Sequence, residues 1–264
     1  MAMCYQPIGV MDSGIGGLTV VRELQRLLPG EDLIYFGDSA NCPYGNRTPD
    51  QIEQLSKNIL GFLEESGVKV TAIACNTISA LADRLIPAFS HKIISIVIPA
   101  ANAVVFEGLR EVGLIATEFT VQSGAYEQLI HEFDPSIEVF SQGSPLLAWL
   151  VDRGDFNDDE IDTEIITQID KILARRKVRH IILGCTHYPI IGQNFARCYP
   201  GVTFIDPALE QTKAISRYLG QQHLLSDRKQ GRFVICTSGD PQVYLQVVRR
   251  LGLREPDEIR VAKL

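Results

Sequence analysis

Continuous apolar runs alternate with stretches of helical periodicity along most of this chain. The segments 8–11, 33–36, 70–74, 93–98, 112–116, 137–140, 179–183, 202–205 and 233–236 read as strands. Unbroken apolar runs of this length are the pattern of parallel strands covered on both faces. Between them, Ile52, Leu55, Ile59 and Leu63 recur at helical spacing, as do Ile161, Ile165, Ile169 and Ile172. Asp206-Pro207 supplies an N-cap and a first-turn proline for a further helix. The alternation predicts an α/β fold of mostly parallel sheets flanked by helices.

The pattern also repeats. The first strand runs through Asp12-Ser13-Gly14 into a helix, and a cysteine, Cys75, ends a later strand. The strand at 112–116 runs through Thr117-Glu118-Phe119-Thr120 into a helix, and Cys185 ends a later strand at a similar remove. This echo predicts two similar lobes, one formed by 1–98 with 207–264 and the other by 99–206. A cleft between packed lobes is a common place for a small-molecule site.

Composition narrows the class. With 264 residues, 45% of them hydrophobic, the chain can bury a full core. A formal charge of -7 and the lack of a basic cluster argue against a nucleic-acid partner. No apolar run approaches the ~20 residues needed to span a membrane, and residues 1–7 lack the basic and apolar regions of a signal peptide, so a cytoplasmic location is expected. Six cysteines occur without a C-x-x-C pair, which points to thiols rather than a disulfide framework or a zinc ribbon.

The candidate chemistry lies where strands end, since ligands in open α/β sheets bind beyond the carboxyl ends of the strands. Cys75-Asn76-Thr77 and Cys185-Thr186-His187 place one thiol on each half of the molecule. Two opposed thiols suit proton exchange at a stereocentre. Taken alone, a cysteine is most often a small buried hydrophobe. Asn76-Thr77 adds side-chain and backbone donors fit for a carboxylate. His187 reads either as an ordinary histidine or as one zinc ligand, but no companion pair completes a tetrahedron. A Cys–His acyl-transfer site is a further reading, which leaves the second cysteine unexplained.

Asp12-Ser13-Gly14-Ile15-Gly16-Gly17 is a glycine-rich strand-to-helix turn without G-x-G-x-x-G spacing, and its leading aspartate would repel a pyrophosphate. Asp12 is instead a plausible proton-handling partner. The stretch 38–46 reads either as a turn or as a substrate loop in which Tyr44 and Gly45 N–H bind a side-chain carboxylate. Cys4, Cys198 and Cys236 carry no chemical role in this reading.

The segments at 8–19, Pro43-Tyr44-Gly45, Ala74-Cys75-Asn76-Thr77 and 184–189, with Ser123-Gly124-Ala125-Tyr126 and Ile205-Asp206-Pro207-Ala208, together resemble the glutamate racemase signature of the cofactor-independent aspartate/glutamate racemases. The resemblance implies interconversion of L- and D-glutamate without PLP, any other cofactor or a metal, and supply of D-glutamate for peptidoglycan. It implies that Cys75 is the base toward D-glutamate, assisted by Asp12. Cys185, assisted by His187 and Asp152, is the base toward L-glutamate. Asn76, Thr77 and Thr186 would hold the α-carboxylate, while Ser13, Tyr44 and Gly45, with Pro43 in the same loop, would hold the side-chain carboxylate. The partner expected is small-molecule glutamate, with room for a homodimer. Three positions depart from the family: Asn41 replaces arginine, Ile78 replaces alanine, and Asp152 replaces glutamate. The alternatives are a racemase of another amino acid such as aspartate, or a one-cysteine lyase or binding protein on the same fold.

Overall fold

The apolar runs assemble into two all-parallel sheets in the computed structural model, which describes residues 3–154, 156 and 159–264. The first two residues of the N-terminal stretch read for a leader lie outside the described residues. The first sheet contains β1 (Ile8–Asp12), β2 (Leu33–Gly37), β3 (Val70–Ile73), β4 (Lys92–Ser95), β9 (Phe233–Thr237) and β10 (Glu258–Val261), in the order β10-β9-β2-β1-β3-β4. The second contains β5 (Glu111–Thr117), β6 (Glu138–Ser144), β7 (His180–Gly184) and β8 (Thr203–Ile205), in the order β6-β5-β7-β8. In register, Asp12 pairs with Gly37 and Met11 with Ile73, so β1, β2 and β3 end at nearly one level.

The twofold period of a strand decides which core each residue enters. Ile8 and Val10 of β1 point into the larger core, while Met11 points to the opposite face. There it joins Ile52, Ile59 and Leu63, which lie on one stripe of the helix Pro49–Glu65. That helix is begun by a Thr48–Gln51 capping box with Pro49 in its first turn. The larger core continues without a break into the second sheet. Three helices carry it across: α1 (Leu18–Leu27), α2 (Val97–Phe106) and α3 (Pro207–Gln221), with α3 packed on both α1 and α2. Asp206 caps α3 by accepting from Ala208 N–H at 2.9 Å, and Pro207 opens it.

Two readings of the pattern change. The run 93–98 is not one strand: β4 stops at Ser95, and Val97 opens α2 with Pro99 in its first turn. A short apolar run fits a buried helix as well as a strand, and Pro99 costs nothing in a first turn. The division at 98/99 therefore falls inside a helix. β10 carries no continuous apolar run in the sequence, because Glu258 and Arg260 make it a charged edge strand. Among the described residues, no helix is long and apolar enough to cross a membrane.

Candidate active site

The carboxyl ends of the two sheets face one another across a small cavity. Cys75 follows β3 and sits at the N-cap of the single-turn helix Asn76–Ser79. Cys185 follows β7, with its carbonyl accepting from Tyr188 N–H at 3.1 Å. Both thiols line the cavity and are nearly buried, with relative exposures of 5% and 6%. Of the residues named from the sequence, Ser13, Pro43, Tyr44, Gly45, Asn76, Thr77, Asp152, Thr186 and His187 join them on its wall. Asp12 does not line it; the carboxylate is wholly buried just behind. A larger groove, about 1070 Å³, opens elsewhere against α2 and α3, but its lining contains neither cysteine nor histidine.

The glycine-rich turn makes the close approach of the lobes geometrically feasible. A Cβ on Gly16 would overlap Thr186 Oγ1 and lie 2.8 Å from His187 Nδ1. Only a glycine lets the turn after β1 meet the turn after β7 at this distance. The contact is polar as well: Asp12 Oδ2 accepts from the Thr186 hydroxyl at 3.0 Å, and Asp12 Oδ1 accepts from Gly14 N–H at 2.9 Å. Burial raises the Asp12 pKa, opposed by the charge of His187 and by those two donors.

The two thiols differ in their surroundings. Cys75 Sγ lies 3.6 Å from the Ser13 hydroxyl. Burial and then the nearby Asp12 push its pKa up to about 12, against the Ile78 N–H and Ser13, which favour the thiolate. Cys185 Sγ instead lies 3.6 Å from His187 Nδ1, while His187 Nε2 donates to Asp152 Oδ1 at 2.9 Å. Burial disfavours the imidazolium, yet Asp152 and then Cys185 hold the His187 pKa well above its ordinary value. The two sides of the cavity are thus a thiol with a hydroxyl neighbour and a thiol with an imidazole–carboxylate pair.

Donors converge on the space between. Asn76 is almost fully buried; its Oδ1 accepts from the Tyr126 hydroxyl at 2.7 Å, while its Nδ2 finds no partner among the described residues. A buried donor without an acceptor is costly unless something fills the role. The Thr77 hydroxyl lies 3.2 Å from that of Thr117, which ends β5 as Asp12 ends β1. Tyr44 is placed differently from the sequence reading: its hydroxyl donates to Asp38 Oδ2 at 2.6 Å, and burial followed by Asp38 raises its pKa. The proton expected to serve a ligand serves Asp38. Gly45 sits beside Thr117, whose Cβ would be 3.6 Å from an added methyl.

Four wall residues, Cys42, Thr117, Ala148 and Gly184, are not among the site residues expected from the sequence. Thr117 was visible only as the counterpart of Asp12 in the internal echo. Cys42 had no signal beyond preceding Pro43-Tyr44-Gly45, yet it lines the cavity with its Sγ 3.8 Å from Asp152 Oδ2. Among the described residues, no group of three or more His, Cys, Asp or Glu side chains is arranged to hold a metal ion.

Comparison with known proteins gives the same picture. The model of the Asp/Glu/hydantoin racemase family matches residues 8–215. A glutamate racemase of Trichodesmium erythraeum is 37% identical over 254 residues, covering 95% of this chain and 93% of that protein. The crystal structure of a Francisella tularensis glutamate racemase in complex with D-glutamate superposes with a TM-score of 0.90 at 33% identity, covering 98% of each chain. A Bacillus anthracis glutamate racemase structure gives 0.92 at 30% identity, again covering 98% of each.

Proposed function

Because the chain belongs to the Asp/Glu/hydantoin racemase family, we propose that it interconverts L- and D-glutamate by two-thiol proton transfer across this cavity, supplying D-glutamate for peptidoglycan in the cytoplasm. The observation that carries the reading is the pair of buried thiols, one from each sheet, on the wall of one small cavity. The relatives named above as glutamate racemases support the substrate. The lobes that supply the two thiols are 1–98 with 207–264, and 99–206, the division running through α2.

In the direction of D-glutamate, Cys75 removes the α-proton of L-glutamate while Cys185 delivers a proton to the opposite face. The roles reverse on return. A Cys75 pKa of about 12 means the free enzyme holds this group as a thiol, so its proton is released to solvent as the substrate enters and before the thiolate takes the α-proton. The α-ammonium of the arriving substrate supplies the positive charge that favours the thiolate, and the raised pKa leaves that thiolate a strong base for a weakly acidic carbon. Asp12 contributes to that basicity and, through Thr186, ties the two turns together. His187 relays the proton at Cys185, oriented by Asp152. The Asn76 Nδ2, with Thr77 and with Thr186 through its backbone N–H rather than the hydroxyl proton it gives to Asp12, receives the α-carboxylate. Ser13 and the loop Pro43-Tyr44-Gly45 receive the side-chain carboxylate, Tyr44 through its backbone and its place on Asp38 rather than through its hydroxyl proton.

A panel of L- and D-glutamate, aspartate and alanine, followed by chiral chromatography, tests the substrate. Glutamate should racemise fastest in both directions; preference for aspartate would overturn the glutamate reading while leaving the two-thiol chemistry.

Neutralising Asp152 tests the second acid–base side. Enantiomers have equal free energy, so kcat/KM must fall equally in both directions in Asp152→Asn. A fall of about 10²-fold is expected for a lost acid–base contributor. The separate kcat values should change unequally, because only the Cys185 side is damaged. Parameters within about twofold of the parent in both directions would make Asp152 a bystander.

A further inference from the structure

We propose that Cys42 is a positioning residue for this reaction: its thiol donates to Asp152 and links the substrate loop of the first sheet to the acid–base pair that serves Cys185. The inference rests on the two-thiol reading above and adds a part to it.

Four side chains form an unbroken line. Cys42 Sγ lies 3.8 Å from Asp152 Oδ2, Asp152 Oδ1 accepts from His187 Nε2 at 2.9 Å, and His187 Nδ1 lies 3.6 Å from Cys185 Sγ. Asp152 is the last residue of the short helix Leu147–Asp152, and its side chain is still 30% exposed. A carboxylate in that position, held through one oxygen only, is free to turn about its last bond. A donor on the other oxygen fixes the plane in which it meets His187. Cys42 meets the requirement, because burial and the charge of Asp152 raise its pKa and keep it protonated.

The packing around the sulfur is specific. A Cβ on Gly14 would lie 3.2 Å from Cys42 Sγ and 4.0 Å from His187 Nε2, so one glycine forms the floor under both. Cys42 comes from the stretch after β2, whereas Asp152, His187 and Cys185 all belong to the second sheet and its connections. Its neighbours Pro43, Tyr44 and Gly45 line the cavity. Seating of a substrate on that loop thereby sets the aim of the catalytic pair across the cleft.

An S–H donor is weak, so removing it should cost about five-fold in kcat/KM, equally in both directions. The diagnostic readout is the primary isotope effect on kcat/KM with α-deuterated L- and D-glutamate in Cys42→Ala and in Cys42→Val, which fills the thiol's space without a donor. Slower proton handling at Cys185 makes abstraction from D-glutamate more rate-limiting and abstraction from L-glutamate less so. The effect for D-glutamate should rise and that for L-glutamate should fall. Cys42→Ser, which retains a donor, should recover part of the rate and the parental balance. A loss of rate with an unchanged balance would reduce Cys42 to packing and overturn the proposal, as would parental rates in both donor-free variants or a serine variant no better than alanine. Thermal melting establishes that each variant is folded. Failure of the two-thiol reading shows itself separately, as racemisation surviving in variants of Cys75 or Cys185.

Discussion

Cys75→Ala and Cys185→Ala are each expected to lower kcat/KM for glutamate racemisation by at least about 10³-fold in both directions, with the fold retained. Each thiol stands on its own sheet and faces the cavity from its own side, so neither can serve both faces of one α-carbon. Loss of either should block the forward and the return reaction alike, since in the proposed mechanism every turnover uses one thiol as base and the other as acid. Retention of the fold follows from the size of the change. Both sulfurs are small, and truncation to alanine in a wall already open to a cavity removes little packing. Chiral chromatography with circular dichroism checks both parts; turnover near the parent level in either folded variant would remove the two-base mechanism.

Gly16→Ala is expected to lower kcat/KM by about 10²-fold although position 16 touches no reacting atom. The new methyl would overlap the Thr186 hydroxyl and press on His187 Nδ1. Neither neighbour is the free end of a flexible chain: Thr186 is held by Asp12 and His187 by Asp152. The two turns must therefore separate, by about an ångström, and misplacement on that scale typically costs such a factor. Overpacking should also reduce stability by about 1–3 kcal/mol. Steady-state kinetics and thermal melting measure the two effects, and parental kinetics would show that the approach of the turns is not needed for catalysis.

The parts of the molecule that could be read from the sequence are those where local pattern and tertiary demand agree. β1, β2, β3 and β7 are unbroken apolar runs because both faces are covered, and helix 49–65 shows its buried stripe openly. The pattern merges β4 and α2 because 93–98, Ser95 apart, is apolar whichever state it adopts. β10 was hidden because an edge strand needs no apolar alternation. At the site, strand ends and small polar residues marked Cys75 and Cys185, but a linear pattern cannot show which hydroxyl finds which acceptor. The sequence presents Tyr44 as a donor to a ligand, whereas Asp38, six residues earlier, takes its proton. Cys42 and Thr117 matter through neighbours more than thirty residues away in sequence, Asp152 and Thr77. No local signal records such a contact.

The central claim, that opposite faces of one α-carbon are served by two different thiols, is tested most directly by proton NMR of each glutamate enantiomer turned over in deuterated water without added cofactor. Starting from L-glutamate, the first D-glutamate formed should carry deuterium at the α-carbon while the remaining L-glutamate keeps its protium, and the mirror result should hold from D-glutamate. Product that retains the original α-proton, or deuterium entering substrate and product at equal rates from the start, would mean that a single base serves both faces and would contradict the account.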